Sequence, residues 1–62
     1  MMRIIIVGAG GHGQVVADCL FRMAAAGANC QPLGFVDDDP RLHGQWVLAL
    51  PVLGPLAQLA NI

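Results

Sequence analysis

The run Arg3-Ile4-Ile5-Ile6-Val7 breaks off into Gly8-Ala9-Gly10-Gly11-His12-Gly13, and no other feature limits the available folds as much as this junction. A short β-branched run without polar alternation reads as a strand covered on both faces, as in a parallel sheet. Beyond the glycines, Val15, Val16, Cys19, Leu20 and Met23 recur at helical spacing and predict one apolar stripe, with Gln14, Asp18 and Arg22 on another face. Ala24-Ala25-Ala26 extends that helix, and Gly27 is placed to end it. Ala28 to Pro32 reads as a connection and Leu33 to Val36 as a second buried strand, stopped by Asp37-Asp38-Asp39-Pro40.

A strand, turn, helix and strand in this order make a parallel pair with a crossover helix, right-handed by the general rule. The remaining sequence is less regular. Trp46 to Leu50 predicts a short strand, Pro51-Val52-Leu53-Gly54 a turn or short extended piece, and Pro55 the start of a helix through Leu56, Leu59 and Ala60 that is cut off at Ile62. The expected class is α/β: a Rossmann-like βαβ(α) arrangement on a small parallel sheet. With 62 residues, 56% of them hydrophobic, the chain is expected to be an incomplete domain or to lean on a partner subunit.

Gly8-x-Gly10-x-x-Gly13 fits the dinucleotide fingerprint in its required setting, directly after a strand and opening a helix. One glycine permits the tight turn, a second lets a phosphate approach the backbone, and a third lets helix and strand pack closely. Free N–H groups and the helix dipole then favour an anion at that point. His12 lies in the loop, where it can donate a hydrogen bond to a bound phosphate. Asp37 and Asp38 follow the second strand, where an acid accepts hydrogen bonds from a ribose or meets a base. Asp39-Pro40 reads as turn chemistry, and His43 as a turn residue before Gly44.

Composition removes several function classes. The net charge of −1, with no lysine, provides no basic patch for nucleic acid. Leu42 to Ile62 is uncharged and long enough to span a bilayer, yet Gly44, Pro51, Gly54 and Pro55 break any such helix. No Ser, Thr, Tyr, Lys or Glu occurs, so a serine nucleophile, a Schiff-base lysine and a glutamate base are excluded. His12, His43 and the aspartates share no ligand-pair spacing, and no metal is expected. Cys19 and Cys30 form no disulfide framework; they are expected to be small core hydrophobes in a reducing cytoplasm.

Three stretches together resemble a known family. Arg3 to Gly13 with Val15-Val16-Ala17-Asp18, then Gly34-Phe35-Val36-Asp37-Asp38-Asp39-Pro40, then Leu42-His43-Gly44 and Pro51-Val52-Leu53-Gly54, are similar in order and spacing to the opening of PglD/NeuD-type sugar O- and N-acyltransferases. The resemblance implies that residues 1–62 form the N-terminal part of a Rossmann-like domain that binds a UDP-amino sugar or related nucleotide sugar. It implies contacts from Gly10, Gly11 and His12, with Gly8 and Gly13 shaping the phosphate loop and Asp37 and Asp38 at the uridine end. In that family a left-handed β-helix of hexapeptide repeats, absent here, binds the co-substrate acetyl-CoA, carries the catalytic histidine and forms trimers. By this resemblance the chain alone contains no catalytic residue and no cofactor of its own. Two other readings stay open: the NAD(P)-binding start of an oxidoreductase, and a non-catalytic assembly domain docking through an exposed apolar face from Trp46 to Leu59.

Overall fold

A computed structural model describes residues Met1–Asn61. In chain order the elements are strand β1 (Met2–Val7), helix α1 (Gly11–Ala25), strands β2 (Cys30–Val36), β3 (Trp46–Val47) and β4 (Leu50–Gly54), and a 3₁₀ helix (Leu56–Asn61). The four strands form one sheet in the order β1-β2-β4-β3. β1 pairs with β2 and β2 with β4 in parallel, while β3 and β4 are antiparallel neighbours. The expected α/β class and the βαβ unit are therefore present, on a sheet that is mixed rather than wholly parallel.

Helix α1 reaches the sheet through small residues. Gly13 and Ala17 are its buried positions, and Leu20 packs against the core one turn further on. A Cβ on Gly13 would lie 1.9 Å from the carbonyl oxygen of Gly8, so only glycine lets the first helical turn approach the strand end this closely. Above this contact Ile6, Ala9, Ala17, Phe35, Leu50 and Val52 form the core, flanked by Ile4, Leu20, Leu42 and Val47. The helix closes with a Schellman pattern. Gly27, at φ +98°, donates to the Ala24 carbonyl and Ala28 to that of Met23.

Several expectations are corrected. The predicted stripe of Val15, Val16, Cys19 and Met23 is exposed, and of that set only Leu20 reaches the core. Close packing selects the small Gly13 and Ala17 face over the larger one. Cys19 is accordingly exposed and Cys30 half-buried, so neither is a core residue. β1 is covered by α1 on one side only: Ile6 is buried there, while Ile5 lines an open hollow of about 310 Å³ on the other side with Arg3, Leu33 and Leu59.

Strand β2 begins at Cys30, not Leu33. Pro32 sits inside it where the register with β1 shifts between Ile4 and Ile5, the kind of irregularity that accommodates a residue without an N–H. Of the two forms expected for Pro51 to Gly54 the extended one is found, within β4, whereas the strand expected from Trp46 to Leu50 is split by a turn at Leu48-Ala49. The final helical segment is 3₁₀ in form; the expected cut at Ile62 lies outside the described residues.

The β3–β4 hairpin turns through Leu48 (φ +48°) and Ala49 (φ +65°), both left-handed. Two-residue hairpins of this kind favour Asn-Gly, and each non-glycine residue held there costs roughly 1 kcal/mol. The double replacement Leu48→Asn with Ala49→Gly is expected to raise the melting temperature by about 4–8 °C per kcal/mol recovered, measured by circular dichroism; an unchanged or lower value would contradict this turn geometry. Gly13→Ala is expected to cost about 3 kcal/mol or more through the clash with Gly8, enough to abolish a cooperative thermal transition in a domain of this size.

Candidate functional site

The glycine loop lies at the carboxyl end of β1, where ligands bind in open α/β sheets. Gly8 makes the turn at φ +94°, and its N–H donates to the Val36 carbonyl at 2.7 Å. Ala9 is buried, and its N–H donates to Oδ2 of Asp37 at 2.9 Å. The Ala9 carbonyl in turn accepts from the Gln14 side chain at 3.2 Å. Gly10 caps α1 in extended conformation without any side-chain capping bond, and its carbonyl accepts the first helical hydrogen bond, from Gln14 N–H at 2.9 Å. Among the described residues, the N–H groups of Gly10, Gly11, His12 and Gly13 have no partner. Four unpaired donors at the positive end of a 15-residue helix, with no acidic residue in its first turn, form an anion-accepting cradle. The His12 side chain is exposed on this same turn.

Across the loop stands the acidic end of β2, and its three aspartates reach three different segments. Asp37 accepts Ala9 N–H on Oδ2 and Asp39 N–H on Oδ1, both at 2.9 Å. The Asp37 main chain is held as well. Its N–H donates to the Gly54 carbonyl at 2.9 Å, and its own carbonyl accepts from Nε2 of His43 at 2.6 Å, which requires the proton on that nitrogen. Asp38 turns away from the loop and accepts Leu56 N–H at 3.0 Å, capping the 3₁₀ helix. Asp39 accepts the N–H and guanidinium of Arg41, an exposed pair that shapes the turn and contributes little to stability.

The structure therefore brings the Gly8–Gly13 loop and Asp37 into direct contact, with Asp38 on the far side of the same strand end. It also places His43 and Gln14 in the network. The sequence offered only turn chemistry for His43, because its bond to Asp37 depends on how the Pro40–Gly44 turn folds back. Gln14, by contrast, follows the last glycine of the motif, and a helix-start amide beside a free loop carbonyl is a readable signal. No group of three or more His, Cys, Asp or Glu residues able to hold a metal ion gathers among the described residues. Nor is any helix there long and apolar enough to cross a membrane.

The Asp37 carboxyl is held below its ordinary value of 3.8, first by the Ala9 N–H bond and second by that from Asp39; desolvation and the Asp39 charge oppose this, and His43 adds to it. A depressed folded value means that the stabilisation is complete above the ordinary carboxylate range. It is lost as pH falls through the lower, folded value. On acidification the Ala9 amide proton resonance is thus expected to move upfield with a midpoint below 3.8, and Asp37→Asn to abolish the movement. A midpoint at or above the ordinary value would remove the Ala9–Asp37 bond from the solution structure.

Comparison with known proteins adds one finding. No curated protein and no solved structure matches the chain. The family model of the PglD N-terminal domain, however, matches residues 3–62, the stretch that holds the glycine loop, α1 and the acidic strand end. On that match across nearly its whole length, the chain belongs to the PglD N-terminal domain family.

Proposed function

We propose that this domain binds a nucleotide sugar, a UDP-amino sugar or close relative, as the substrate-holding N-terminal part of a sugar O- or N-acetyltransferase. The observation that carries the reading is the row of four unpaired amides from Gly10 to Gly13 at the start of α1, suited to a diphosphate. Family membership supports the acetyltransferase setting. In this reading Gly10, Gly11 and His12 contact the phosphates, Gly8 and Gly13 shape the loop, and Asp37 and Asp38 flank the nucleoside end. Acetyl-CoA is the co-substrate of the full enzyme. Its chemistry is not assigned to any residue here, since the chain offers neither a serine or lysine nucleophile nor a glutamate base. A homo-oligomeric enzyme of the cytoplasm completes the proposal, a compartment that suits two free cysteines.

A docking role has one observation in its favour. Trp46, Leu48, Leu53, Leu56 and Leu59 are all exposed, Trp46 at 71%. An NAD-binding role shares the glycine pattern but has less support, because the Gly-Gly-His-Gly loop followed by three aspartates resembles the sugar-transferase family and not the dehydrogenases.

Saturation-transfer NMR of the chain with UDP and with NAD, each alone, separates these readings. Transfer to UDP is expected, and His12→Ala should weaken UDP binding about 5–10-fold, the loss of one phosphate hydrogen bond. Transfer to NAD but not UDP would replace the proposal with a dinucleotide site, and binding of neither by the folded chain would leave the docking role alone.

A further inference from the structure

Asp37 stands where an acid works against the proposed ligand, since a carboxylate beside a phosphate cradle repels it. The hydrogen bonds show what the acid contributes instead. Gly8 N–H is bound by Val36 and Ala9 N–H by Asp37, so the two loop amides nearest β1 are tied to the last residue of β2 and to the residue that follows it. The next four, from Gly10 to Gly13, are the ones left without partners among the described residues. Asp37 is itself fixed from several directions: by Gly54 of β4 at its N–H, by Asp39 N–H at its second oxygen, and by His43 Nε2 at its carbonyl. An acceptor held this firmly does not swing out to meet a ligand. It keeps the loop in one shape.

We infer that Asp37 is a positioning residue, which anchors the Ala9 amide so that the Gly10–Gly13 amides are set for an anion before it arrives, with His43 bracing Asp37 from the adjacent turn. The inference rests on the reading that the loop takes a diphosphate, and it assigns Asp37 a task other than recognising the nucleoside. The neighbouring Asp38, whose second oxygen has no partner among the described residues, keeps that possibility.

The sign of one substitution separates positioning from plain electrostatics. Asp37→Asn keeps the shape and removes the charge. If the acid acted on the ligand only through its charge, the change would relieve repulsion and tighten anion binding. If it positions the loop, binding weakens, because an asparagine offers one acceptor oxygen and one NH₂ group and cannot accept from both Ala9 and Asp39. The probes are inorganic pyrophosphate, which has no nucleoside, and UDP, titrated into the full chain near pH 7 and followed by amide NMR.

The expected result is a loss of about 5–10-fold for both probes by a similar factor, with faster hydrogen exchange along Gly10–Gly13 in the unliganded variant. Equal or tighter pyrophosphate binding would overturn the inference, and a loss confined to UDP would make Asp37 a nucleoside contact instead. His43→Ala against His43→Gln provides a second test should Asp37→Asn fail to fold. Glutamine retains an N–H donor for the Asp37 carbonyl, so weakened pyrophosphate binding in His43→Ala should be restored in His43→Gln. Equal affinity in the alanine variant and the wild type would count against the brace and the inference. A folded wild-type chain that binds neither probe removes the diphosphate reading itself, a failure recognisable from the wild-type titration alone.

Discussion

The approach of α1 to the end of β1 governs the rest of the molecule. Gly13 lies so near the Gly8 carbonyl that no side chain fits between them, and this contact fixes both the depth at which the helix sits on the sheet and the direction of its first turn. From there the small Ala17 continues the close contact and Leu20 widens it, leaving room for Phe35 of β2 to fill the space beneath. The same contact sets the helix start immediately beyond a parallel strand. A steric requirement in one glycine thus decides both how the layers pack and where the unpaired amides stand.

The three consecutive aspartates are the second organising element. Like charges so close together are unfavourable unless each finds donors, and each finds them in a different direction: Asp37 in the glycine loop and its own turn, Asp38 at the 3₁₀ helix, Asp39 at Arg41. Three side chains from one strand end therefore tie together segments that are distant in sequence. The backbone N–H groups of Ala9, Asp39, Arg41 and Leu56, together with the Arg41 guanidinium, meet these carboxylates. The depressed titration of Asp37 has this origin.

Much of this was legible in the residues, for reasons that also explain what was missed. The glycine loop and the first strand are local signals, in which spacing and backbone freedom determine structure within a dozen residues. The helix was legible as a helix but not its docking face, because α1 carries two apolar faces and periodicity does not say which one the sheet can approach closely. Pro32 concealed the first half of β2, since a proline argues against a paired strand unless a register shift absorbs it. The hairpin turn was missed inside the stretch read as one strand, because Leu48 and Ala49 hold left-handed conformations that neither residue advertises. Asp37 was legible as a candidate, whereas its bond to Ala9, 28 residues away, and its contact with His43 across a turn have no sequence signature.

β1 is an edge strand, with β2 on one side and no neighbour on the other among the described residues. An edge strand presents a row of backbone N–H and C=O groups to any segment able to pair with it. A strand laid along this edge would stand beside the glycine loop at the carboxyl end of β1 and add a second wall to the crevice there. One pairing event would then both widen the sheet and deepen the hollow at its end.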